Sequence, residues 1–225
     1  MQHDVTIVIA AKDEAPTIRD IVRCSHRFAE QVIVVDGRSA DGTADIARES
    51  GAVVLVEDRP GKGNAFRTAI PHIRGGITVF IDADGSHAVS DVPRLVEPIR
   101  RDEADIVSAS RLLGGSSELH GGFDEFLRLA GSSFITACIN WRFNVRLSDS
   151  QNGFRAIRTS VLRDLRLRDA HTTIEQEMIM QALRSGYRIV ERPSHESARL
   201  YGKSHVNVWR STPRYAWSLL SHLIR

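Results

Sequence analysis

The chain has 225 residues, 42% hydrophobic and 26% charged, the balance of an ordinary globular protein rather than a disordered one. That length suits one sizeable α/β domain or two small halves sharing a sheet. No apolar run approaches the roughly 20 residues a spanning helix needs, and two cysteines, Cys24 and Cys138, exclude a disulfide framework and fit a reducing compartment.

The chain enters a strand almost at once, Val5 to Ala10, and no charged segment with an apolar stretch behind it suggests a signal peptide. Pro16 opens a helix whose Ile18, Ile21, Val22 and Phe28 roughly share a face. Val32 to Val35 reads as a second strand. Asp41-Gly42-Thr43 then caps a helix through Ala44, Ile46 and Ala47. Ala52 to Val56 is a third strand, Asn64 to Ile73 a helix, and Ile77 to Ile81 a fourth, β-branched strand. Alternating strands and helices predict a Rossmann-like, mostly parallel central sheet flanked by helices, with right-handed crossovers. In the second half, Asp105 to Ser110 reads as a strand ending at Arg111, followed by a Gly- and Ser-rich loop through Gly122. Phe123 to Phe143 and Thr173 to Ser185 read as helices and Tyr187 to Val190 as a short strand. The loop Gly114 to Gly122 divides two halves, 1–110 and 111–225, of one continuous domain.

Strand ends of parallel sheets gather ligand-binding residues. The fourth strand ends in Asp82-Ala83-Asp84, two carboxylates that can turn toward one hard cation, although Asp and Gly85 also suit a plain turn. Asp36 ends the second strand and is placed to accept from a base or ribose, or to serve as a turn residue; Asp41 reads as a cap. Gly61-Lys62-Gly63 precedes a helix, so its amides and Lys62 are candidates to meet phosphate, yet it lacks both the dinucleotide and the P-loop fingerprints. After Glu196 there is no acid, while Arg199, Lys203, Arg210, Arg214 and Arg225 are basic among Trp209, Tyr215 and Trp217. Such a tail suits an anionic membrane surface or substrate, a solvated basic surface, or a helix packed on the domain.

The segments VIAAKDE, VVDGRSADGT, GKGNA, FIDADGSH, SASR, DSQNGFRA and ARLYGKSH, in this order, resemble the family 2 glycosyltransferases of GT-A fold. The likeness is closest to the dolichol- and polyprenyl-phosphate sugar synthases and runs from Val5 to about Val208. It implies that Ala10, Lys12 and Glu14 touch the nucleotide, with Ala10 and Lys12 replacing the family's proline and tyrosine. Val34 and Asp36 fall in the base-recognising V-V-D segment, where Gly37 replaces a second acid. Lys62, Asp82, Ala83 and Asp84 would complete the nucleotide-sugar site, with Asp82 and Asp84 holding Mg²⁺ or Mn²⁺ and Ser86 replacing a frequent glutamine ligand. Arg111, Arg128, Arg155, Arg199, Ser204 and His205 would receive the acceptor phosphate, and Asp84, Arg111, Arg155 and Arg199 would carry catalysis. Guanidinium suits these roles because it binds phosphate bidentately and stays charged.

The resemblance thus implies a metal-dependent inverting transfer of sugar from a nucleotide diphosphate to a polyprenyl phosphate. The expected place is the cytoplasmic face of the membrane, peripherally bound to anionic lipid, with no nucleic acid involved and a membrane-protein partner or homo-oligomer left open. A hydroxyl acceptor with Glu175 or Glu177 as base is the alternative; an inactive nucleotide-sugar-binding subunit is a third reading, opposed by the intact D-A-D pair.

Overall fold

The computed structural model describes residues 4–117, 123–199, 201 and 208–224. The side chains of 123–125, 208–211 and 224 fall outside the description. Strands β1 (Val5–Ala11), β2 (Gln31–Asp36), β3 (Val53–Val56), β4 (Ile77–Asp82), β5 (Ile106–Ser110), β6 (Arg155–Arg158) and β7 (Ile189–Pro193) form one sheet in the order β3-β2-β1-β4-β6-β5-β7. β1 pairs in parallel with β2 and β4, β2 with β3, and β5 with β7. β6 runs antiparallel between β4 and β5, so the sheet is mostly but not wholly parallel. This strand was not foreseen: its four residues, Arg-Ala-Ile-Arg, carry arginines at both ends and lack an apolar run.

Helices α1 (Ala15–Ser25), α2 (Thr43–Glu49), α3 (Lys62–Ala69), α4 (Val92–Arg100), α5 (Arg111–Gly114), α6 (Phe123–Phe143), α7 (Thr159–Asp164), α8 (Ile174–Arg184) and α9 (Val208–Ile224) connect and cover the strands. α3 is shorter than expected because Pro71 turns the chain through residues 70–72 as a 3₁₀ turn. α4 was also unforeseen, as Pro93 and Pro98 obscure it; yet Val92, Leu95, Val96 and Ile99 lie at helical spacing and are buried. Gly42 is the N-cap residue of α2, and Asp41 just before it accepts from the Thr43 amide through Oδ1 at 3.0 Å.

Successive strand residues feed two cores. Ile7, Ile9, Val34 and Val79 pack with α1 and α4 residues on one face, and Val8, Ile33, Phe66 and Phe80 pack on the other. Burial of each such side chain contributes about 1.5–3 kcal/mol, so register is fixed by the sheet's two-sided demand. A third cluster, Ile139, Leu147, Ile179, Met180 and Leu219, joins α6, α8 and α9. Its Leu219, with Ile135, Cys138 and Leu223 packed against the cluster, lines the same cavity as Ala10 of β1 and Asp82 of β4.

Candidate active site

Parallel β1 and β4 align Ala10 with Asp82, so Glu14, Asp82 and Asp84 leave the sheet at one edge. Lys62, first residue of α3, reaches in from the side: its Nζ lies 2.5 Å from Asp82 Oδ1 and 2.7 Å from Glu175 Oε1. Burial would lower the Lys62 pKa, but the charges of Asp82 and Glu175 reverse this and hold it above its ordinary value. Burial likewise raises Asp82, but Lys62 and His87 outweigh it and hold the carboxyl below its ordinary value. Gly153 makes this approach possible, since a Cβ there would stand 2.5 Å from Lys62 Nζ and 2.8 Å from Asp82 Oδ2. Arg199 bridges Glu14 Oε1 at 2.8 Å and Asp84 Oδ2 at 3.0 Å. The other Asp84 oxygen accepts from the Ser86 amide at 3.0 Å and hydroxyl at 2.7 Å, so Ser86 positions this carboxylate.

Ala10, Glu14, Lys62, Asp82, Ala83, Asp84, Arg111, Arg128 and Arg199 line one cavity of about 730 Å³. Nine of the expected residues, scattered over the sequence, are thereby brought together. Six carboxylates (Glu14, Asp82, Asp84, Asp149, Glu175, Glu196) face four cationic side chains (Lys62, Arg111, Arg128, Arg199) in that lining. A hard oxygen donor set with surplus negative charge suits Mg²⁺ or Mn²⁺, and Asp82 and Asp84 are the residues that would hold it.

Several expectations need correction. Arg155 does not reach the cavity: it is fully buried and donates to the carbonyls of Glu175, at 2.9 Å, and Asn152. Burial also lowers its pKa, and the structure gives it a scaffold role under α8 rather than an open phosphate contact. Val34 is fully buried in the core of β2, and its side chain has no route to a ligand. The amides flanking Lys62 are occupied: Gly63 and Asn64 donate to Ala170 O and Gly61 donates to Glu57 Oε2, so these three do not offer themselves to phosphate as expected. Ser204 and His205 lie outside the described residues.

Arg111 is paired with Asp149 through Nε–Oδ2 at 2.6 Å and Nη2–Oδ1 at 2.9 Å, and its Nη1 lies 3.6 Å from Glu196. Burial opposes both charges, yet the fork of hydrogen bonds pulls Asp149 below and lifts Arg111 above their ordinary values. Asp36, buried at the end of β2, accepts from the Ser39 amide through Oδ2, while Oδ1 has no hydrogen-bond partner among the described residues. Lys12 donates to Gly37 O at 2.9 Å. Glu57, which the sequence gave no reason to single out, places Oε1 3.4 Å from where a Gly37 Cβ would stand. A carboxylate therefore occupies the neighbourhood of the acid that Gly37 replaces, and burial raises its pKa.

Glu177 does not line the cavity. Its oxygens accept from the Arg168 and Asp169 amides and from Gln181 Nε2, at 2.7–2.9 Å, and His222 Nε2 of α9 lies 3.6 Å away. Asp169, Glu177 and His222 resemble a metal-ligand group, with their ligand atoms within 4.8 Å of one another. Their hydrogen bonds nevertheless fit a clasp that ties α9 to α8. Glu177 is thus no base candidate, whereas Glu175 is in the cavity. Tyr215 of α9 closes the same region, donating to Thr172 Oγ1 at 2.8 Å; burial, with help from Glu175, pushes its pKa up to about 12.

From this charged end the cavity continues as an apolar gallery between α6 and α9, lined by Leu127, Phe134, Ile135, Leu219, Leu220 and Leu223. Comparison with known proteins finds glycosyltransferases. The chain is 28% identical to glycosyltransferase AglJ of Haloferax volcanii over 84% of its own length, and spans 62% of that protein's length. It is 26% identical to the dolichyl-phosphate hexose transferase of Haloferax volcanii, covering 84% of this chain and 81% of that one. Glucosyl-3-phosphoglycerate synthase from Mycobacterium tuberculosis, solved with Mn²⁺, UDP and glucosyl-3-phosphoglycerate, superposes with a TM-score of 0.79 at 22% identity, covering 97% of this chain and 79% of that chain. That likeness shows the fold, which is GT-A. The strand-end carboxylates Asp82 and Asp84 and the strand β4 that presents them lie within residues 6–166, where the chain matches the model described as glycosyl transferase family 2, and the chain belongs to that family.

Proposed function

We propose that the chain transfers a hexose from a nucleotide diphosphate-sugar to a polyprenyl phosphate, with inversion, while bound peripherally at the cytoplasmic membrane face. The observation that carries this reading is the shape of the cavity: a charged end at Asp82 and Asp84 opens into an apolar gallery between α6 and α9. A lipid phosphate matches both parts, whereas a small soluble acceptor uses only the first. The relative named dolichyl-phosphate hexose transferase supports the same acceptor class.

In the proposed reaction an acceptor phosphate oxygen attacks the anomeric carbon from the face opposite the nucleotide. The new carbon–oxygen bond forms as the bond to the diphosphate breaks, and the diphosphate leaves with the electron pair. No base is required, since a phosphate monoester with a second pKa of about 6 is largely ionised at neutral pH. Arg111, Arg128, Arg199 and Lys62 stand where they can offset the phosphate charges and orient both substrates. A bound divalent cation would neutralise charge on the leaving diphosphate.

The second reading is a hydroxyl acceptor with Glu175 as base, favoured by the position of Glu175 in the cavity. The deciding experiment offers labelled UDP-glucose and GDP-mannose with Mg²⁺ or Mn²⁺ to polyprenyl phosphate and, separately, to 3-phosphoglycerate. Transfer to the lipid alone is expected. Transfer to the soluble acceptor alone, with Glu175→Gln lowering turnover at saturating donor by about 10²–10⁴, would establish the second reading instead.

A further inference from the structure

Resting on that reading, we infer that Glu175 and Gln151 form the subsite that reads the hydroxyls of the transferred sugar. Both residues line the cavity. Glu175 is 3% exposed; its Oε1 is fixed by Lys62 at 2.7 Å, while Oε2 has no hydrogen-bond partner among the described residues. Gln151 uses its Nε2 to donate to Ser150 Oγ at 3.1 Å and Gln176 Oε1 at 3.4 Å, which directs its Oε1, also buried and unpartnered, away from those groups.

Buried acceptors without partners are rare and mark places where a ligand completes the bonding. The chemistry of these two selects the ligand. A carboxylate oxygen and an amide oxygen both accept, and both repel phosphate oxygens, which are themselves acceptors. Neighbouring O–H donors of a sugar satisfy them. Position agrees: one ammonium, Lys62 Nζ, touches both Asp82 and Glu175, so Glu175 lies one group beyond the carboxylate expected at the diphosphate. The sugar is the group joined next to that diphosphate. The cations of the cavity therefore serve the phosphates, and this acceptor pair serves the hexose.

The test compares, by calorimetry with Mn²⁺, the affinities for UDP against UDP-glucose and for GDP against GDP-mannose. In the wild type the hexose should add affinity for one pair. Gln151→Leu should leave the bare diphosphate within about twofold, and Glu175→Gln, which alters the Lys62 ion pair, should weaken it more; both should shrink the hexose increment roughly tenfold, the loss of one hydrogen bond of ordinary strength. Gln151→Leu spares the Lys62 ion pair, and retained diphosphate binding shows that this variant is folded. A purely structural role would weaken both ligands in parallel, which overturns the inference. An increment that is absent in the wild type, or that survives both substitutions, overturns it as well. A wild type that binds none of the four overturns the proposed function and this subsite with it.

Discussion

At the scale of single residues, the site depends on one missing side chain. Gly153 lets Lys62 and Asp82 meet, and a Cβ there would overlap both partners. Gly153→Ala should push the Lys62 ammonium from the carboxylate at little packing cost, since both close atoms end side chains that can turn aside, so turnover should fall while urea unfolding changes little. Unchanged turnover would show that the Lys62–Asp82 contact is dispensable. Asp84→Ala makes the complementary case. Its oxygens engage Arg199 and Ser86 near the surface of the cavity rather than the core, so the fold should survive. Turnover should drop at least about 10²-fold, the scale of losing one preorganised charge-stabilising group, and chelator should abolish it in the wild type. Full turnover in excess chelator would contradict the metal reading.

At the scale of elements, α8 divides its two glutamates by helical position. Glu175 faces the cavity and Glu177, two residues on, points toward the loop at Arg168 and toward α9. Glu177→Gln should lower stability by about 1–3 kcal/mol, because a buried acceptor anchored by two amides loses bonding capacity. It should leave turnover per folded molecule unchanged; a large loss of turnover at intact stability would return Glu177 to the chemistry. The division could not be read from sequence, where both sat on one predicted helix with equal claims. Alternating strands were legible because apolar runs such as Ile77 to Ile81 state their burial outright. The D-x-D pair was legible because it ends such a run. β6 and α4 were not, since arginines in one and prolines in the other mask the periodicity. Arg155 matched a motif, but sequence could not tell a guanidinium facing phosphate from one buried against carbonyls. Glu57 falls in no motif and Gln151 only at an unspecified position of DSQNGFRA; folding brings Glu57 beside Gly37 and Gln151 into the cavity that Glu175 lines.

At the scale of the whole molecule, the pair α6 and α9 shows two unlike faces. Inward, their apolar side chains wall the gallery that opens from the charged end. Outward, α6 exposes Phe126 and Trp141, with Trp141 85% exposed, while Phe134 both lines the gallery and is itself exposed. α9 exposes Trp217, 74% exposed, and its Leu220 both lines the gallery and is exposed. Leu219 is buried, so the tail is at once a helix packed on the domain and an apolar surface. No helix among the described residues is long and apolar enough to cross a membrane. Exposed apolar and aromatic side chains of this kind, with Arg142, Arg146 and Arg214 also exposed, suit the headgroup region of a bilayer. Docking there would set the open side of the gallery at the level from which a lipid phosphate enters. Each arginine near an anionic surface adds about 1 kcal/mol, and salt screens it. The chain should therefore co-float with vesicles containing anionic lipid, less so as salt rises. Trp141→Ser combined with Trp217→Ser should release it while leaving UDP and GDP binding intact. A second outcome has its own signature: if this surface pairs with another copy, the chain will be dimeric in solution, ignore vesicles at low ionic strength, and become monomeric in the double variant. That result would remove the bilayer from the account and shift the acceptor toward a soluble one.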